Sequence, residues 1–215
     1  MKRGLGVAAA WLLALLVATP ARGASRLDEL FARVDAAEPG LESYTATVDI
    51  KAGLRTFPWY GTSRSGDAYY KRPGRLELVI NNMPRFISKF QHLFVGLGPT
   101  KDWTRDFNAS VAEENTSTEH ILLVPKNPQS RIRQIAVFLD PQSAIPSRIL
   151  WTYTDGHVEL DETFVDVAGH RIVAAHDVEL ALPAFHAYLH ATVHDIAVNA
   201  PVDDAVFTGS LFLNP

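Results

Sequence analysis

Residues 67–78 read Asp67-Ala-Tyr-Tyr-Lys-Arg-Pro-Gly-Arg-Leu-Glu-Leu78. The two adjacent tyrosines favour a strand, the Pro-Gly pair interrupts it, and polar and apolar residues alternate from residue 75 to residue 80. The stretch therefore predicts a bent strand with a basic corner at residues 71–75.

The same alternation recurs along most of the chain. In residues 44–51, Val48 and Ile50 fall on one face of a predicted strand, while Asp49 and Lys51 fall on the other. Further strands are predicted at residues 57–63, 68–80, 121–124, 132–139, 148–153, 157–167, 171–182 and 185–198. Few helical patterns separate these strands. The predicted fold class is therefore mainly β (α+β), a curved antiparallel half-barrel covered by one or two short helices.

Two stretches have helical spacing. Residues 26–38 combine apolar residues on one side with acidic residues in the first turn, which predicts a short amphipathic helix. Within residues 84–97, Phe86, Phe90 and Phe94 share one helical stripe. This second helix is interpreted either as a fixed cover over the mouth of the sheet or as a movable lid whose aromatic rings contact a ligand.

The N-terminus and the composition indicate export. Residues 1–23 have a basic start, an apolar run and small residues before the expected cut, so they predict a cleaved signal peptide followed by a single domain at residues 24–215. An uncleaved N-terminal anchor is the alternative. The chain has no cysteine, which excludes disulfides, thiolate zinc sites and a lipid-anchoring cysteine. Removing three basic residues and no acid changes the net charge from −4 to −7, which argues against binding nucleic acid or anionic membranes.

Histidine and acidic residues are the candidates for a metal site or a catalytic site. His186, His190 and His194 are four residues apart, and on a helix neighbouring imidazoles could share a zinc ion. However, residues 185–198 alternate as a strand, on which residues four apart lie ~13 Å from each other. A solvent-facing row is therefore favoured, and no metal or cofactor is predicted. Likewise, His157, Glu159 and Asp161 share one face of a predicted strand and are interpreted as its wet face, so the protein is predicted not to be an enzyme. An exported hydrolase with an unrecognised site is the weakest alternative.

Several segments resemble the LolA-like superfamily of periplasmic carriers, the outer-membrane lipoprotein carrier and sorting proteins. The resemblance spans residues 26–208 and includes a helix that leads into the strand at residue 44. It is carried by Trp59-Tyr-Gly61, Tyr69-Tyr-Lys-Arg-Pro73, Ile121-Leu-Leu-Val-Pro-Lys126, Thr163-Phe-Val-Asp-Val167 and Asn199-Ala-Pro-Val-Asp-Asp-Ala-Val-Phe207. Members of this family form an unclosed antiparallel barrel with a helical lid. They carry lipoproteins or other lipids between membranes.

The resemblance implies that acyl chains lie between the concave face of the sheet and its helical cover. Arg72 and Arg75 are candidate headgroup contacts, with a solvated basic corner as the alternative. The predicted lipid-binding residues are Val48, Ile50, Trp59, Leu78, Ile80, Phe86, Phe90, Phe94, Trp151 and Tyr153.

The predicted function is that of an exported soluble carrier, which binds lipid or lipoprotein acyl chains in a hydrophobic half-barrel for transfer towards the outer membrane. The alternative is a non-enzymatic envelope interaction or lipid-sensing module with a filled core. The predicted partners are a lipid or acylated lipoprotein and envelope proteins of the inner and outer membranes. No nucleic acid partner is expected, and the protein is predicted to be a periplasmic monomer.

Overall fold

A computed structural model of the protein describes residues 25–37, 40–72, 75–80, 97, 100–115, 118–183 and 185–208. The predicted signal peptide, residues 1–23, lies outside the described residues. So do Phe86, Phe90 and Phe94, and with them most of the helix predicted at residues 84–97.

The described residues form two α-helices, ten strands and a short 3-10 helix. The helices are α1, Arg26–Asp35, and α2, Thr100–Asp106, and the 3-10 helix spans Asp204–Thr208. The strands are β1 Ser43–Leu54, β2 Gly61–Lys71, β3 Arg75–Ile80, β4 Phe107–Asn115, β5 Thr118–Pro125, β6 Ile132–Leu139, β7 Pro146–Tyr153, β8 His157–Val167, β9 His170–Leu182 and β10 Phe185–Val198. Neither described helix is long and apolar enough to cross a membrane.

All ten strands belong to one sheet in the order β3-β2-β1-β10-β9-β8-β7-β6-β5-β4. Every neighbouring pair is antiparallel, and most neighbours follow one another in the chain. Within the described residues the sheet does not close, so β3 and β4 are its two edges. The predicted fold class, a mainly β antiparallel half-barrel with two short helices, is confirmed.

One face of the sheet, here called the inner face, carries the core. Alternate residues of each strand point to this face, because side chains of a strand alternate between its two sides. Ile121, Val137 and Leu160 on three of its strands are at most 1% exposed. The buried inner-face residues are Ala46, Val48, Ile50, Ala52, Ala68, Leu78, Ile121, Leu123, Ile135, Val137, Ile149, Trp151, Val158, Leu160, Val178, Leu180, Ala187, Leu189 and Ala191.

The two helices pack together over the β4 side of the inner face. The Phe31 ring of α1 meets the Trp103 ring of α2 edge-to-face, with the centroids 5.9 Å apart. Asp35, the last residue of α1, accepts hydrogen bonds from the Thr100 backbone N–H at 3.2 Å and from the Thr100 hydroxyl at 2.6 Å. This carboxylate therefore caps the start of α2 and fixes the angle between the helices.

Removing core volume at the inner face is expected to destabilise the fold. Leu160 lies on β8 near the middle of the sheet and is 0% exposed. Leu160→Ala is expected to lower the free energy of unfolding by about 2–5 kcal/mol, because it leaves a cavity that the neighbouring strands cannot fill. Urea denaturation measures the change. Val165→Ala on the same strand, where the side chain is 38% exposed, is the control and is expected to have a much smaller effect. Equal losses in both variants would contradict the assigned inner face.

Candidate functional site

Most of the described lipid-contact residues that the sequence predicted do share the inner face. Val48, Ile50, Leu78 and Trp151 are buried there, at 1–8% exposure. Ile80 and Tyr153 are partly buried and pack against the same cluster. The partly exposed inner-face residues include members of both edge strands: Leu76 and Ile80 on β3, and Phe107, Ala109 and Val111 on β4.

Trp59 does not share this face. It lies in the connection between β1 and β2, outside any strand, and its side chain is 82% exposed. The second strand begins at Gly61, four residues later than its predicted start at residue 57. Trp59 therefore does not line the inner face with the other predicted residues, and lipid contact by its exposed side chain stays a prediction.

The basic corner is held by the C-terminal segment. Arg75 pairs with Asp204 at 2.9 Å, and its guanidinium lies 4.9 Å from the centroid of the Phe207 ring. Lys71 also pairs with Asp204 at 2.9 Å, and these two cations lower the pKa of Asp204, the Lys71 hydrogen bond being the larger cause. The Arg72 backbone N–H donates to the Glu42 carbonyl at 2.9 Å. The corner thus fastens residues 204–208 to the β3 edge, and headgroup contact by these arginines stays a prediction.

A polar cluster on the inner face was missed in the sequence. Glu162 and His176 are direct partners across β8 and β9, with Oε1 and Nδ1 3.1 Å apart and side chains only 13% and 10% exposed. Towards the residue-43 end of β1, the rings of Tyr44 and Tyr70 stack with centroids 5.2 Å apart. Burial raises the pKa of Tyr44, and Tyr70 and Glu162 raise it further. These four side chains, the inner polar cluster, place hydrogen-bonding groups among the apolar residues of this face.

The opposite, outer face carries the charges. Glu159 lies directly across from Glu179, and Asp161 from Asp177, on β8 and β9. A depression of about 290 Å³ opens over these four carboxylates. Like charges that face each other across a sheet are destabilising. Burial raises the pKa of Asp161, and the neighbouring Glu159 charge raises it further.

Basic groups offset part of this repulsion. Arg55 pairs with Glu179 at 2.5 Å, and Arg148 pairs with Glu159 at 2.5 Å. On β10, His190 pairs with Asp177 at 2.6 Å. The outer face therefore carries salt bridges that are mostly exposed, each of which contributes little to stability.

Two histidines of β10, His190 and His194, pair with nearby carboxylates. His194 contacts Asp195 at 2.8 Å and Asp49 at 3.1 Å, and hydrogen bonds to these two carboxylates raise its pKa. Within the part of the chain that the structure describes, no group of three or more His, Cys, Asp or Glu side chains is arranged to hold a metal ion.

Solved structures of other proteins have a similar fold, whereas sequence comparisons give no match. No protein-family model matches the chain, and no curated protein matches it. A DUF1329 family protein from Desulfovibrio piger superposes with a TM-score of 0.57 at 14% identity, covering 85% of this chain and 95% of that one. A putative outer membrane lipoprotein-sorting protein domain from Vibrio parahaemolyticus gives a TM-score of 0.56 at 10% identity, covering 85% and 94%. A LolA superfamily protein from Nitrosomonas europaea gives 0.48 at 10% identity, covering 86% and 98%.

At these identities the first two structures show the fold alone. The chain has the LolA-like fold, an open antiparallel half-barrel with short helices on its inner face. The resemblance stated from the sequence is thus confirmed at the level of the fold. The inner face and its polar cluster are the candidate site that this fold contains.

Neutralising one carboxylate of the outer face is expected to stabilise the protein near neutral pH. The raised pKa of Asp161 means that the folded state binds its proton more tightly, so stability falls as pH rises through the ordinary aspartate pKa of about 3.9 and the raised folded value. Asp161→Asn is expected to raise the melting temperature near neutral pH and to leave it unchanged below the ordinary pKa. Asp166→Asn, on an exposed carboxylate of the same strand, is the control and should give no gain. A gain at Asp161 that is equal at both pH values would contradict the repulsion.

Proposed function

We propose that the protein is an exported, non-enzymatic carrier that holds the acyl chain of a lipid or lipoprotein against its inner face, for transfer towards the outer membrane. The observation that supports this function is an apolar inner face that runs across ten strands of a sheet left open between β3 and β4. The Vibrio parahaemolyticus neighbour, a putative outer membrane lipoprotein-sorting protein domain, agrees with this proposal. The periplasm is the proposed location.

The edge strands are the proposed place of entry. The centre of the inner face is filled by its own side chains, since Val137, Leu160 and Ala191 are 0% exposed. Partly exposed apolar residues such as Leu76 and Ile80 lie at the β3 edge instead. An acyl chain laid there would gain ~0.8 kcal/mol for each methylene that it buries. The affinity for the cargo would then increase with the length of the acyl chain. A carrier must also release its cargo, so this affinity has to stay lower than that of the receiving membrane.

The inner polar cluster is the proposed contact for the polar end of the cargo. Tyr70 lies across from Leu76 on the neighbouring strands β2 and β3, so it adjoins the partly exposed edge. It stacks on Tyr44, whose pKa is raised partly by Glu162. Hydroxyl and carboxylate groups at this place can pair with an ester, an amide or a hydroxyl group, which an apolar surface cannot do.

A pair of adjacent residues on β3 tests this function. Ile80 points to the inner face, whereas Val79 points outward and is 42% exposed. Ile80→Asp is expected to abolish acyl-chain binding because it places a carboxylate on the apolar path, and Val79→Asp is expected to retain it. The measurement is native mass spectrometry of the protein purified without detergent from the exported compartment, with melting temperatures to show that both variants fold.

The two outcomes separate the candidate functions. Masses of bound lipids that are present in the wild type and in Val79→Asp, but lost in Ile80→Asp, would support the carrier. A wild-type mass without bound lipid, also after incubation with envelope lipids, would contradict the carrier function. An envelope interaction or sensing module with a filled core would then be the better description.

A further inference from the structure

The turn between β1 and β2 exposes three aromatic rings at its tip. Phe57 is 48% exposed, Trp59 is 82% exposed and Tyr60 is 54% exposed. The Phe57 and Trp59 rings contact each other, with their centroids 5.7 Å apart. Residues 55–60 are here called the aromatic tip. Large apolar side chains exposed together in one short turn are costly in water unless they meet a partner.

The aromatic tip is held in place by its base. The Leu54 N–H donates to the Tyr60 carbonyl at 3.1 Å, and the Tyr60 N–H donates to the Phe57 carbonyl at 2.8 Å. The Arg55 N–H donates to the His186 carbonyl of β10 at 2.9 Å, which ties the turn to the next strand. The rings are therefore presented by an ordered turn, and little conformational freedom remains to be lost on binding.

The size of the aromatic tip favours a lipid surface over a protein. At about 200 Å² for each aromatic side chain, the three rings expose roughly 400 Å². This is about half of the ~800 Å² that each partner contributes to a stable protein interface. A projecting turn with a tryptophan at its tip can instead sink between lipid headgroups, and tryptophan and tyrosine concentrate at membrane–water interfaces.

Two ion pairs lie at the end of the sheet that carries the aromatic tip. Arg55 at its base pairs with Glu179. At the same end of the sheet, Arg131 in the β5–β6 connection pairs with Asp155 in the β7–β8 turn at 3.1 Å. These pairs give no net attraction for an anionic surface, and the net charge of −7 expected without residues 1–23 opposes one, so we assign the affinity to the rings. This favours neutral, zwitterionic lipid headgroups as the occupant.

We propose that the aromatic tip is a membrane-docking element, which inserts Trp59 and its neighbours into the headgroup region of a zwitterionic lipid bilayer. This surface is separate from the inner face and needs no acyl chain bound there. It goes beyond the proposed carrier function, and the two fail or succeed independently. Under this proposal, Trp59 contacts lipid at the outside of the protein, which agrees with its position away from the inner face.

Tryptophan fluorescence offers a site-resolved test. The chain has four tryptophans, of which Trp11 lies in the predicted signal peptide, while Trp103 and Trp151 are 3% and 7% exposed. Trp59 is thus the reporter that a bilayer can reach in the exported protein. The experiment adds phosphatidylcholine vesicles with brominated acyl chains to the protein recovered from the exported compartment, whose N-terminus is read from its intact mass.

Vesicles are expected to shift the emission of Trp59 to shorter wavelength and to quench it, with little change as ionic strength is raised. Trp59→Ser is expected to lower the vesicle partition coefficient by about tenfold to a hundredfold, the loss of one buried aromatic side chain. Trp59→Phe is expected to keep most of the partition while losing the quenchable signal. Val165→Ser, at an apolar residue exposed near the other end of the sheet, is the control and should bind like the wild type.

Two results would overturn the proposal. One is a Trp59 emission that bromine does not quench, and the other is equal partition of the wild type and Trp59→Ser. A residue 59 that crosslinks to an envelope protein while vesicles stay unbound would also overturn it and would assign the tip to a protein partner. Because Trp59→Ser leaves the inner face intact, it is expected to keep the bound lipid masses that Ile80→Asp loses. Failure of docking and failure of the carrier function can therefore be told apart.

Discussion

The apolar inner face of the sheet has to be kept from water across ten strands, and much of the remaining structure serves that requirement. Helices α1 and α2 join through Phe31 and Trp103 over the β4 side, and residues 204–208 are fastened to the β3 edge by Lys71 and Arg75. The sheet itself stays open. Its central strands are filled by their own side chains, whereas its edge strands keep inner-face residues that are partly exposed. Packing alone therefore completes the middle of the face and leaves its margins available to another apolar group.

Alternation was enough to predict most of the strands. The bounds predicted for residues 157–167 and 185–198 are those of β8 and β10, because apolar and polar residues alternate along much of each strand and clear turn signals such as Asp155-Gly156 bound the pattern. Strand β4, Phe107–Asn115, was missed, although Phe107, Ala109 and Val111 alternate with polar residues over its first half. Residues 113–115 are all polar, and pairing with β5 holds this second half in the sheet. Helix α2 was also missed, as its seven residues bury one large side chain, Trp103.

The candidate site also contains some residues whose position the sequence predicts and others whose contacts it does not predict. Glu162 follows Val158 and Leu160 at strand spacing, so alternation placed its carboxylate on the inner face, and the same argument holds for His176 before Val178. That signal was present in the sequence and was not used. The partners of Arg75 could not be predicted, because Asp204 and Phe207 lie far along the chain and meet it only in the folded protein. Trp59 was assigned to the inner face as part of the strand predicted at residues 57–63, but Pro58 and the hydrogen-bonded turn remove it from the strand.

The inner polar cluster and the aromatic tip together would give the inner face a direction. A buried ionisable pair is often less stabilising than apolar side chains of equal volume, so a core built only for stability gains little from Glu162 and His176. In β1, Tyr44 of this cluster lies near one end of the strand and the aromatic tip follows the other, about 33 Å apart at strand spacing. A cargo whose polar end paired with Tyr44 and Tyr70 would point its acyl tail towards the tip. A bilayer docked at the tip would then meet the tail first, in the orientation in which an acyl chain can enter the membrane while its headgroup is still held.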